Sequence, residues 1–193
     1  MHTIPLLEDR QVVARPGDEG FTLIELLVVL LIIGVLLAIA IPTFLSTTGS
    51  ANNTSAQADL KTALTGADTY FMTAGSQSYA YLDSSAGGTS TITSVGTGLT
   101  YVSGAANSSS GPHVISVSVS NGGNALVMTA LAHGSLDCWG ILDIKSTLSS
   151  ALDRETAIGT YYFVVPGSSA SACNAQLASP SVGNISSTAF PHG

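Results

Sequence analysis

From Leu26 to Ile41 the chain has no polar side chain, and the flanking "FTLI" and "PTFL" extend the apolar run to residues 21–45, 25 positions in all. A helix needs about 20 apolar residues to cross a bilayer, whereas the apolar part of a secretory signal peptide runs about 7 to 15 residues and follows a basic end. Here the preceding residues are acidic on balance, with Arg10 and Arg15 against Glu8, Asp9, Asp18 and Glu19. The segment reads as a retained spanning helix rather than one removed at "STTGSA", residues 46–51. Arg10 and Arg15 precede it and Lys61 alone follows within the counted window, so the positive-inside rule keeps the N-terminus in the cytoplasm and exports the bulk of the chain. One acid, Glu25, lies inside the run. An ionisable group in a span is expensive and marks a functional position by default.

Beyond Leu45 the pattern changes. In "AQADLKTALTGADTYFMTA", residues 56–74, apolar side chains fall at Ala56, Leu60, Ala63, Leu64, Ala67, Tyr70, Phe71 and Ala74, the spacing of an amphipathic helix. The join, "STTGSANNTS" at 46–55, contains Gly49 and two asparagines and has poor helix propensity. Unbroken, a helix from Phe21 to Ala74 would reach about 80 Å at 1.5 Å per residue. Residues 75–98 are Gly, Ser and Thr around "YAYL" and read as a long loop. Strand-like runs follow at 99–103, 113–120, 124–132, 137–145 and 159–165. The run at 113–120 alternates strictly, and the "NGGN" after it signals a hairpin. The apolar face of such a sheet needs a cover, and the helix at 56–74 is the amphipathic element at hand. The fold class expected is α+β, a long N-terminal helix packed on an antiparallel meander sheet.

Composition and motifs narrow the function. Charged residues make up 9% of the chain against roughly 25% in an average soluble domain, and beyond residue 20 the cations are Lys61, Lys145 and Arg154 alone. Phosphate-backbone binding needs clustered Lys and Arg, so no direct nucleic-acid partner is expected. His2, His113, His133 and His192 are scattered, with no pair at metal-ligand spacing. No GxSxG elbow, SxxK or phosphate loop occurs, and "GTG" at 96–98 runs on into "LTY". Asp137 and Asp143 have the same strand parity and so share a face, where solvation at the sheet edge is expected. The chain reads as a non-enzyme without cofactor or metal. "NNT", "NTS", "NSS" and "NIS" fit the glycosylation sequon, as chance alone allows in so Ser- and Asn-rich a chain. Cys138 and Cys173 both fall in the exported part; pairing is the economical reading there, with two buried thiols as the alternative. A bridge closing about 36 residues would contribute roughly 4 kcal/mol on the chain-entropy model.

The stretch "GFTLIELLVVLLIIGVLLAIAIP", residues 20–42, resembles the N-terminal signature of type IV prepilins, with Gly20, Phe21, Glu25 and Pro42 at family spacing. The resemblance implies cleavage after Gly20 by a cytoplasmic-side prepilin peptidase, N-methylation of Phe21, and packing of stem helices into a filament core. It also implies that helix between a Gly such as Gly34 and a Pro such as Pro42 can be lost during assembly. Each has a plainer reading. Gly34 can serve close helix packing, and Pro42 can kink or end the span. The leader departs from the family by its length of 20 residues and its four acids. On this reading residues 1–20 are a leader, 21–45 the stem, 46–75 the amphipathic half of the helix, and 76–193 a Gly/Ser-rich loop and sheet head with the disulfide region.

Two classes of function fit. One is a filament subunit whose partners are copies of itself, the prepilin peptidase, the pilus assembly machinery and the membrane, passing from the cytoplasmic membrane to a cell-surface filament. A type II secretion pseudopilin is its close variant; major pseudopilins tend to carry C-terminal calcium-binding acids, and residues 178–193 hold none. The other class is a membrane-tethered adhesive module that never polymerises, which a deep aromatic-lined cleft would favour.

Overall fold

The computed structural model describes residues 20–73, 77–80, 82, 98–104, 107–147, 157–169, 171–176 and 184–191. Residues up to Pro42 and those from Thr43 onward form two units, taken here in turn.

In the first unit, helix α1 (Leu23–Thr73) begins. Every side chain from Leu23 to Ile41 is exposed, so this stretch has no core of its own. A helix satisfies each backbone group internally, as an apolar surrounding requires. Among the described residues α1 is the one helix long and apolar enough to cross a membrane. Gly34 and Pro42 both lie inside it, and α1 continues past Pro42 rather than ending there.

In the second unit α1 runs on without a break through 46–55, the stretch of poor propensity. Contacts with the head make up the difference, through Asn52 and Asn53, while Thr47, Thr48 and Thr54 satisfy their own hydroxyls on the carbonyls of Thr43, Phe44 and Ser50, one turn back. Further along, Ala56, Leu60, Ala63 and Ala67 are fully buried, and Leu64, Tyr70 and Phe71 pack beside them. That is the face the apolar spacing marked, and its small residues let the helix lie close to the sheet.

The head is a six-stranded sheet in sequential order, formed by β1 (Thr100–Ser103), β2 (Val114–Ser120), β3 (Ala125–Leu131), β4 (Cys138–Ile144), β5 (Gly159–Val165) and β6 (Asn184–Ser186). From β2 onward every pairing is antiparallel. The "NGGN" turn joins β2 to β3 with Gly122 at φ 63 and Gly123 at φ 93, a region glycine enters without a steric penalty. The expectation of a simple meander fails at the first pair, since β1 runs parallel to β2. In the connection between the two strands, Ser109 N donates to the Cys173 carbonyl and the Asn107 carbonyl accepts from Ser116 Oγ. Strand β6 was also not anticipated; its three residues are too few to show a period.

Alternation sorts the sheet into two faces. Val117, Leu126, Met128, Ala130, Ile141 and Val164 meet α1 in the main core. Val127, Leu142, Phe163 and Ile185 lie on the opposite face with Ala175 of the C-terminal segment. Asp143 corrects a second expectation. It shares the helix-side face with Asp137, as parity required, but it is 1% exposed instead of solvated. Tyr79 and Leu82, from the reach read as featureless loop, are buried anchors in the main core. His2, His192 and Arg154 lie outside the described residues.

Candidate functional site

The start of the stem is built by local chemistry. Gly20, Phe21 and Thr22 are non-helical and exposed, Phe21 at 87%. Thr22 is the N-cap residue of α1. Its backbone N–H and hydroxyl both donate to Glu25 Oε2, at 2.9 and 2.8 Å, and its Oγ1 accepts from Glu25 N–H at 3.3 Å. This is a reciprocal capping box, Thr-x-x-Glu, which satisfies N–H groups that a helix start leaves open. It fixes the first helical residue at Leu23, so the Gly20–Phe21 bond lies in non-helical chain. Reading the sequence for Glu25 alone missed Thr22, although "TLIE" is the motif for such a cap.

The signature residues separate accordingly. Gly20, Phe21 and Glu25 gather at the start of the stem. Gly34 stands about 14 Å and Pro42 about 26 Å further along by helical rise, and no atom lies within 4 Å of the place a Gly34 side chain would occupy. Gly34 is thus an open notch on the apolar surface.

In the second unit, polar clusters tie α1 to the head. Asn53 accepts from Ser135 Oγ at 2.7 Å and from Trp139 Nε1 at 3.0 Å, and donates to Asp137 at 3.3 Å. Asn52 donates to the His133 carbonyl at 2.6 Å. Both amide nitrogens are therefore engaged in holding α1 to the head. His113 Nδ1 lies 2.7 Å from Asp59 on α1.

Near the far end of α1, Lys145 Nζ bridges Asp68 at 2.8 Å and Asp143 at 3.0 Å. The Tyr79 hydroxyl sits between the same carboxylates, and Thr160 Oγ1 donates to Asp143 at 2.7 Å. Burial pushes the Tyr79 hydroxyl far above its ordinary range, and the adjoining Asp143 and Asp68 carboxylates add to the rise. For Lys145, burial pulls downward, but its hydrogen bonds to Asp68 and Asp143 outweigh that pull and hold the ammonium above its usual value. An ion pair enclosed by hydrogen bonds can be kept in a core where a lone charge could not.

On the opposite face of the sheet, Cys138 of β4 is bonded to Cys173, with Cα atoms 5.4 Å apart. The bridge joins the C-terminal segment to the sheet next to Leu131 and Val165. At the helix-side edge, Phe190 packs edge-on against Trp139 and Tyr162, with the Lys61 ammonium 5.7 Å from its ring centre.

The family-model match falls mainly on the stem. Residues 15–41 match the family model described as the prokaryotic N-terminal methylation motif. The chain is 43% identical over 57 residues to the type IV major pilin protein PilA of Myxococcus xanthus (strain DK1622), an overlap covering 30% of this chain and 26% of that relative. No solved structure matches. The methylation motif, the likeness over part of the chain to a type IV major pilin, and a long apolar helix followed by a mostly antiparallel sheet agree, and together they make the chain similar to type IV pilins.

Proposed function

We propose that this chain is the subunit of a type IV pilus filament, a structural rather than a catalytic protein. In this reading residues 1–20 are a leader removed by prepilin peptidase, Phe21 becomes the methylated N-terminus, and residues 21–45 anchor the precursor in the cytoplasmic membrane. Residues 46–75 and 76–193 form the exported head. Assembly machinery then packs the stems of many copies into a filament core displayed at the cell surface.

One observation carries the proposal. Every side chain from Leu23 to Ile41 is exposed, an apolar surface far larger than a soluble monomer leaves open. Lipid covers such a surface before assembly and other stems cover it afterwards. The Cys138–Cys173 bridge supports a pilin over a pseudopilin, since pilins more often carry a late disulfide. A tethered adhesive module finds less support. The depression of about 280 Å3 beside α1 is lined by Trp139 and Phe190, but these are only 2% and 8% exposed and offer no open ring face to a ligand.

Electron microscopy of sheared surface material, with mass analysis of its protein, tests the proposal. The expected mass lacks residues 1–20 and carries one added methyl group. An uncleaved mass, or no filament containing this chain, would overturn it.

A further inference from the structure

Strand β2 alternates as a strand with one wet face does. Ile115, Val117 and Val119 turn toward α1, and Ser116, Ser118 and Ser120 turn to the other side of the sheet. Yet that side is closed where it should be wet. Ser116 is fully buried, and so is Thr129, its partner in the β2–β3 ladder. The Thr129 hydroxyl has no hydrogen-bond partner among the described residues, and neither has the enclosed hydroxyl of Ser120. A buried hydroxyl left unpaired forfeits the bonds water gave it, and folded proteins pair nearly all of theirs. A row of hydroxyls of this kind suits a surface that water reaches in one state of the protein.

The segment lying on this face is held lightly apart from its disulfide. Among the described residues of 169–176, Cys173 and Ala175 alone are buried. Ala175 sits over Gly104, where a Cβ would come within 2.7 Å of its methyl group, and Cys173 packs with Leu131 and Val165. Hydrogen bonds make the remaining contacts. The Cys173 carbonyl accepts from Ser109 N at 2.7 Å, the Ser171 carbonyl accepts from Ser108 Oγ at 2.8 Å, and Ala175 N donates to Ser116 Oγ at 3.1 Å. Each can be exchanged for water, so with so little apolar contact the net hold is small. The bond from Cys173 to Cys138 of β4 supplies the rest. Within the segment, Ala172 N and Cys173 N both donate to the Ser169 carbonyl, which keeps it a unit, and the exposed Gly167 before it, at φ +62, offers a hinge. We propose that residues 169–175 are a redox-latched flap. With the Cys138–Cys173 disulfide formed the flap lies shut on the sheet; with both cysteines as thiols it stands off, and water reaches Ser116 and Thr129. Latching moves two electrons and two protons from the thiols to a disulfide oxidant, which leaves as a dithiol, and a dithiol reductant reverses the exchange.

The test is amide hydrogen exchange of the full chain in detergent, read residue by residue by NMR before and after treatment with dithiothreitol. The double variant Cys138→Ala with Cys173→Ala gives the same comparison where reductant fails to reach the buried sulfurs. Without the bridge, the amides of Ser109 and Ala175, which the flap contacts engage, are expected to exchange within roughly tenfold of the rate of an open chain. Leu60 in α1 and Met128 in β3 should stay strongly protected. A second arm uses Thr129→Val, which removes the unpaired hydroxyl from the shut form. In a glutathione redox buffer its ratio of disulfide to dithiol, read by alkylation and mass, should rise roughly tenfold over the parent. Protection of Ser109 and Ala175 that outlasts the bridge would overturn the flap. Loss of protection at Leu60 and Met128 as well would overturn it too, because the bridge would then hold the whole head and not one segment. An unchanged ratio in Thr129→Val would show that opening does not wet the hydroxyl row, and would equally sink the proposal.

Discussion

The Tyr79 hydroxyl lies 2.7 Å from Asp143 Oδ2, and this contact between a loop residue and a buried carboxylate joins the chain after α1 to the centre of the sheet. Asp143 needs it. With Thr160 and Lys145 as its other donors, the carboxylate has a partner for each oxygen at 1% exposure. Tyr79→Phe removes one donor and leaves the ring in place. The expected loss is about 1.5 to 3 kcal/mol, the scale of a hydrogen bond to a charged group, read from denaturant unfolding of the full protein in detergent. An unchanged midpoint would mean that water replaces the hydroxyl.

The same cluster sets a pH dependence. The folded state raises the proton affinity of Tyr79 above its ordinary 10.0 and that of Lys145 above its ordinary 10.5. Groups raised in this way contribute fully below the unfolded values, and the contribution fades as pH rises toward the folded ones. The melting temperature should therefore be insensitive to these two groups up to about pH 9 and fall steeply above about pH 10. Tyr79→Phe combined with Lys145→Gln should flatten the fall. If the double variant keeps the same alkaline slope, other groups cause it.

Much of this architecture was legible because hydrophobic spacing reports directly on burial. The positions Ala56, Leu60, Ala63 and Ala67 and the alternation at 113–120 lie where the packing puts them. Contacts distant in sequence were less visible. Asp143 resembles any strand-end acid until Lys145, Tyr79 and Asp68 close around it, and the parallel pairing of β1 goes with contacts such as Ser109 to Cys173 that are distant in sequence. At the stem the signature was plain, yet the role of Thr22 emerged only with the geometry of its two bonds to Glu25.

Cys138→Ser opens the bridge that holds the C-terminal segment over one face of the sheet. A drop of about 2 to 5 kcal/mol is expected, matched by treating the native protein with reductant. Free thiols in the untreated protein, or a variant as stable as the parent, would refute the assignment.

Gly140 stands opposite Phe163 in the β4–β5 ladder, where the aromatic ring lies over it. A methyl group there would overlap that ring, which is fully buried. Gly140→Ala should cost about 1 to 3 kcal/mol through overpacking, and adding Phe163→Leu should recover part of the loss. Additive costs in the double variant would show that the two positions do not compete for space.

Leu136→Gly is expected to stabilise the head in detergent by about 1 kcal/mol, because glycine accepts the left-handed backbone that leucine resists. Urea midpoints of the two proteins measure it. A loss of stability would show that the leucine side chain serves the fold itself.

Glu25 has one duty in the single chain and, in the proposed filament, a second that one substitution can separate from it. In the single chain Oε2 takes both donors of Thr22 and closes the start of α1. Inside a filament, stems surround this end and water is scarce, so a carboxylate without a cationic partner would cost several kcal/mol. We hold that its partner there is the Phe21 amine of a neighbouring subunit, an attraction that rewards one axial stagger over others. Glu25→Gln keeps the capping box, which accepts Gln as well as Glu, but removes the charge. Glu25→Val removes both. If pairing with the amine drives addition, both variants insert and fold, and both lose filament yield by roughly tenfold or more, equivalent to about 1.4 kcal/mol per addition step. The comparison is made on sheared filaments at equal expression, with circular dichroism of the detergent-solubilised subunits to confirm the helix. Wild-type filament yield from Glu25→Gln alongside loss from Glu25→Val would assign the residue to its own helix start. Wild-type yield from both would leave the carboxylate with no part in assembly.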